Sequence, residues 1–91
     1  AAVMHRIVVD IDKSAEIDLE VWMMAEDIAR TCLRDGHARL DLAAVRRPIG
    51  RLVVEVHSSA HVRRLVKAIE ALTEKHHLAD RVLVWDEKYA P

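Results

Sequence analysis

Three residue types are missing altogether: the 91-residue chain contains no Phe, no Asn and no Gln. Glycine and proline are down to two each, and there is one cysteine, Cys32. Each shortage closes off a class of chemistry. A single cysteine forms no internal disulfide and no zinc knuckle. Two glycines, both with turn duties, leave no glycine-rich loop to cradle a phosphate. No apolar run approaches the ~18 residues needed to cross a bilayer. The start (Ala1-Ala2-Val3-Met4-His5-Arg6) lacks the long apolar stretch of a signal peptide. Neither sign of charge is in excess, with 14 Lys+Arg against 15 Asp+Glu. Nothing therefore pulls the whole chain toward nucleic acid or anionic lipid. What is present is 52% hydrophobic and 32% charged, too apolar and too balanced for a disordered chain. The expectation is one soluble domain spanning residues 1–91 with a modest core, cytoplasmic or recombinant, with neither nucleic acid nor membrane as partner.

The missing amides have two origins that the sequence leaves open. A genome of biased base composition thins Asn, Gln and Phe together, and ten Arg against four Lys fits that origin. A designed or engineered sequence avoids Asn and Gln in regular elements because their amides compete locally with the backbone. Six His, three Met and a free Cys run against routine idealised design.

Periodicity divides the chain into six elements. His5 to Asp12 alternates as a strand, with Ile7, Val9 and Ile11 on one face and Arg6, Val8 and Asp10 on the other. A helix follows from Ser14 or Asp18 to Asp35, stopped by Gly36 in the left-handed region. Its core stripe is Ile17, Val21, Met24, Ala25, Ile28 and Cys32. With Asp18 as N-cap, Ile17 and Trp22 hold the two positions of a hydrophobic staple. Two strands, Ala38 to Arg47 and Arg51 to His57, are joined by a turn at Arg47-Pro48-Ile49-Gly50. That turn predicts a register in which Val45 opposes Val53, Ala43 opposes Glu55, and Asp41 opposes His57. Leu40, Leu42 and Ala44 then share the core face with Leu52, Val54 and Val56. Ser58-Ser59 opens a second helix with the stripe Val62, Leu65, Val66, Ile69 and Leu72, and His76 beneath. Arg81 to Lys88 is the last strand. The expected core is Ile7, Val9, Ile11, Val21, Met24, Ile28, Leu42, Val54, Val56, Leu65, Val66, Ile69 and Leu72.

Strand–helix–strand–strand–helix–strand resembles the ferredoxin-like α/β plait, a member of which could equally be natural or de novo designed. The resemblance implies an α+β two-layer sandwich: a four-stranded antiparallel sheet in order 4-1-3-2 with two helices on one face. It is a likeness of topology, and this fold hosts many unrelated activities. Leu52-Val53-Val54-Glu55-Val56 through Val82-Leu83-Val84 also look like the second half of ACT-type regulatory domains. Those place a glycine-containing ligand loop after the first strand, where this chain has Asp12-Lys13-Ser14-Ala15-Glu16 instead.

The chemistries of the fold can be tested against the residues. RNA-recognition motifs stack bases on aromatics of the first and third strands. Here those positions are Arg6, Val8, Asp10, Arg51, Val53 and Glu55, which read as cross-strand ion pairs. Asp10-Ile11-Asp12 resembles the acidic motif of palm-type metal-dependent enzymes. The third carboxylate such a site needs is replaced by the basic hairpin Arg46-Arg47-Pro48-Ile49-Gly50-Arg51. Acylphosphatase-type chemistry requires a catalytic Asn, and the chain has none. The six histidines fall into no set of three ligands, and His57 beside Asp41 reads as a surface pair. Ser58 and Ser59, at a helix start, read as caps. Cys32, on the core stripe, reads as a small buried hydrophobe.

No catalytic, cofactor or metal site is therefore expected. The reading is a non-catalytic scaffold without natural ligand, the alternative a small ACT-like ligand-sensing homodimer. A more remote one is a palm-type enzyme using Asp10 and Asp12. The surface expected to act is the open sheet face, which carries Val8, Val45 and Val53. The last strand adds either Leu83 with Trp85 or Val82 with Val84, since both of its faces are apolar. A second copy covering Val8, Val53, Leu83 and Trp85, or pairing along the last strand's edge, would make a homodimer.

Overall fold

The computed structural model describes residues 4–12, 18–46 and 49–89. Strand β1 (His5–Ile11) leads to helix α1 (Asp18–Asp35), strand β2 (Ala38–Leu40), strand β3 (Arg51–Val56), helix α2 (Ser59–Lys75) and strand β4 (Val82–Asp86). Short 3-10 turns flank β4 at Ala79–Arg81 and Glu87–Tyr89. The strands form one antiparallel sheet in the order β2-β3-β1-β4. This is the ferredoxin-like α+β sandwich, its strand order as expected when counted from the opposite edge.

Alternation along each strand decides which side meets the helices. Ile7, Val9, Ile11, Leu52, Val54 and Val56 point to the layer occupied by Val21, Met24 and Ile28 of α1 and Leu65 and Ile69 of α2. Val62, Val66 and Leu72 pack partly buried around them, as do Val82 and Val84 of β4. Each fully buried side chain of this kind contributes about 1.5–3 kcal/mol.

Both helices end by satisfying carbonyls through a left-handed residue. Gly36, at φ +72, donates its N–H to the Cys32 carbonyl at 3.3 Å, which closes α1. α2 stops without glycine: His77 takes φ 58 and the Leu78 N–H reaches back to the Thr73 carbonyl at 2.8 Å. Leu78 is then folded into the core, the apolar contact that accompanies this type of stop. Asp18 is already helical, so the position flanking α1, with Ser14 and Ile17, lies outside the described residues. Trp22, the expected partner of Ile17 in a staple, is exposed.

The β2–β3 hairpin departs from the expected register. Ala38 faces Val56, Arg39 faces Glu55 and Leu40 faces Val54, after which β2 ends. A single bridge resumes at Arg46 opposite Arg51. Asp41 causes the interruption. Its side-chain oxygen accepts the Ala43 N–H at 3.1 Å and its carbonyl accepts the Ala44 N–H at 3.0 Å, a local turn that loops residues out of the ladder. The expected pairs Val45–Val53, Ala43–Glu55 and Asp41–His57 do not form. Leu42 is thrown into solvent at 80% exposure and is not part of the core. Between Leu40 opposite Val54 and Arg46 opposite Arg51 the pairing moves by an odd number of residues, which changes the face. Val45 therefore packs against the core rather than lying on the open face. Arg47 and Pro48 of the turn lie outside the described residues.

Candidate functional site

The open sheet face is sealed by its own side chains. Arg6 faces Glu55, Val8 faces Val53 and Asp10 faces Arg51 across β1 and β3. Val8 also faces Trp85 and Asp10 faces Leu83 across β1 and β4, so Leu83 and Trp85 are the outward residues of β4. Arg51 holds both oxygens of Asp10, at 2.5 and 2.9 Å, and the Trp85 indole N–H donates to the same carboxylate at 3.1 Å. The Arg51 guanidinium lies over the Trp85 ring, 5.8 Å from its centre. Arg6 pairs with Asp41 at 2.8 Å and Glu87 at 2.6 Å, and Arg39 pairs with Glu55 at 3.2 Å. Asp41 is thus engaged by Arg6, not by His57.

Beneath this layer Val8 and Val53 are only 3% and 4% exposed. The expected apolar strip is therefore reduced to Leu83, at 52% exposure, and the rim of the half-buried Trp85. Asp10 carries a guanidinium where a palm-type site would put a cation. Asp12 is exposed and its backbone N–H bonds the Arg81 carbonyl. Among the described residues, no three His, Cys, Asp or Glu side chains are grouped so as to hold a metal ion. None of the described helices is long and apolar enough to cross a membrane.

The apolar surface lies elsewhere, on α1. Leu19, Trp22, Met23 and Leu33 are all exposed, Leu33 at 85%. At about 100° per residue they fall on one side of the helix, opposite the core stripe of Val21, Met24, Ala25, Ile28 and Cys32. Glu26 and Arg30 occupy the middle of that side and pair with each other at 3.7 Å. On its flank Trp22 borders an apolar groove of about 180 Å³ that continues over Leu40, Leu42, Val45 and Ile49. The spacing was readable: once the core stripe is assigned, four large apolar residues of α1 remain, and they too share a face.

Two polar clusters join elements that sequence leaves apart. Asp27 of α1 accepts from His76 at 2.6 Å and Lys75 at 3.2 Å, at the far end of α2. The His76 hydrogen bond, and after it that of Lys75, holds the Asp27 carboxyl below the usual carboxylate range. At the opposite end of α2, Ser59, His5 and Asp86 form a hydrogen-bonded chain. His5 Nε2 lies 3.1 Å from Ser59 Oγ, and His5 Nδ1 lies 3.2 Å from Asp86 Oδ2. Ser58 is the residue flanking α2, yet its side chain makes no capping bond. His37 and His61 stack at 4.0 Å. Cys32 is buried, and burial, with the nearby Asp35 charge, pushes its thiol up to about 11.

Compared with known proteins, the chain matches no family model, no curated relative and no solved structure.

Proposed function

We propose that this domain is a self-associating module in which two copies meet through the outer faces of their α1 helices. One observation carries the reading: Leu19, Trp22, Met23 and Leu33 stand in solvent on the side of α1 that should be polar. The charges on that side select the occupant and the direction. In an antiparallel pairing with the two-fold axis level with Ile28, Glu26 of one copy meets Arg30 of the other. The same register sets Met23 against Leu33 and Trp22 against Arg34. A shift that set Leu19 against Leu33 would bring the two Glu26 side chains together, which is repulsive. A second copy therefore complements this face, as an isologous interface requires.

Such a helix pair is small beside a standard interface of about 800 Å² per partner, so micromolar association is expected. Light scattering on the wild type between about 10 μM and 1 mM should show the dimer. Glu26→Arg or Arg30→Glu alone should return it to monomer, and the double reversal should restore it. A monomer throughout, or a double variant no better than the singles, would sink the proposal. A second reading, association along the β4 edge, draws on the half-exposed Leu83. In that case Leu83→Lys would abolish the dimer and the α1 variants would not.

A further inference from the structure

We propose that Ser59 is a nucleophile served by His5 and Asp86, and that it accepts the acyl group of small carboxylic esters. The nitrogens are arranged in the order this chemistry needs. An ionised carboxylate only accepts, so the Asp86 contact puts the imidazole proton on Nδ1 of His5. Nε2 then presents its lone pair to the Ser59 hydroxyl at 3.1 Å, within reach for a general base. Asp86 is itself held: its other oxygen accepts the Lys88 backbone N–H at 3.0 Å. The three side chains come from β1, α2 and β4, so the sheet and the start of α2 fix their spacing.

Two further features suit an acyl transfer. His61 and Val62 both donate their N–H groups to the Ser58 carbonyl, at 3.1 and 3.2 Å. The amides of Ser59 and Ala60 are those the helix itself leaves over, next to the nucleophile, where an oxyanion would develop. Ser59 is exposed, so a small ester reaches its hydroxyl directly from solvent.

The step balances without a further reactant beyond water. Ser59 Oγ bonds to the ester carbonyl carbon while its proton passes to His5 Nε2. The tetrahedral adduct collapses, the carbon–oxygen bond to the leaving group breaks, and that oxygen takes the proton from His5. Water then attacks the acyl-serine with His5 again as base, releasing the carboxylic acid and restoring the hydroxyl. His5 and Ser59 are the catalytic residues and Asp86 is a positioning residue that acts through His5.

The test uses a fluorophosphonate, which loses fluoride on bonding to Ser59 Oγ, and p-nitrophenyl acetate. Peptide mass mapping should place the phosphonate on Ser59. Free imidazoles hydrolyse p-nitrophenyl acetate by themselves, so the comparison is with Ser59→Ala, which keeps every histidine. Ser59 is exposed at the helix start, so this variant folds, as an unchanged melting curve would verify. Its hydrolysis rate should fall at least about tenfold. Asp86→Asn should slow the labelling about tenfold or more with its melting temperature held. A purely structural strut would shift melting and leave labelling untouched. Equal rates in wild type and Ser59→Ala, no adduct, or an adduct elsewhere would each overturn the proposal.

Discussion

At the residue scale, the carboxylates carry the clearest consequence. The Arg51 hydrogen bond, and with it that of Trp85, holds Asp10 below its usual value against a smaller opposing effect of burial. Asp27 is lowered by His76 and Lys75 and Asp41 by Arg6. In the unfolded chain these groups take protons near about pH 4. Between that value and the lower folded one, the unfolded state binds more protons, so stability rises with pH there. The contribution is whole above about pH 4 and is lost as the pH falls through the folded values. Thermal melts should therefore be flat from about pH 7 to 5 and fall below about 4. Asp27→Asn should lower the melting temperature at neutral pH and make the acid limb shallower. An unchanged acid limb in that variant would count against the Asp27–His76–Lys75 cluster as its cause. Of these contacts, Asp10–Arg51 was legible from alternation and strand direction alone. Ser59–His5–Asp86 was not, because it needs both helical crossovers to bring three distant segments to one end of the sheet.

At the element scale, what could be read depended on whether one periodicity governed a segment. α2 has a single stripe and a polar remainder, and its burial follows that stripe. The β2–β3 hairpin had two competing signals: an apolar alternation running through Leu42, and Asp41, whose carboxylate offers the backbone a turn instead. The local turn won, and the register counted back from Pro48 and Gly50 fails already at Arg46, which bridges Arg51 where that register would put Leu52. Leu42 and Leu65 provide the comparison that checks it. Leu42→Ala should change stability by no more than about 0.5 kcal/mol, as at an ordinary surface site. Leu65→Ala, at the centre of the core, should cost about 2–5 kcal/mol. Urea unfolding of both variants at low protein concentration measures the difference. A large loss for Leu42 would restore the continuous hairpin and place that side chain back under α1.

For the whole molecule, the two sheet faces are closed by different means, and that moves the apolar surface to a helix. Two helices cover one face, while Arg6, Arg39, Arg51 and Trp85 cover the other. Exposed ion pairs of that kind add little each, at about 0–1 kcal/mol, but here they also shield Val8 and Val53 from water. The order of elements was enough to read the fold because each signal agreed with the rest. How much of the sheet face remained open depended on long side chains lying down across strands, which alternation does not encode. Four of the large exposed apolar side chains, Leu19, Trp22, Met23 and Leu33, share one side of α1, so stability should depend on protein concentration. For a folded dimer in equilibrium with unfolded chains, each tenfold rise above the dissociation constant adds about 0.7 kcal/mol per protomer. In a domain of this size that raises the melting temperature by about 3–6 °C. Leu33→Lys places a cation in the last turn of α1, where the helix dipole favours it, so the monomer should fold as well as before. Its melting temperature should no longer move with concentration. A wild-type melting temperature that stays constant from about 10 μM to 1 mM would refute association by any surface. A Leu33→Lys variant whose melting temperature still rises would direct the search from α1 to the β4 edge.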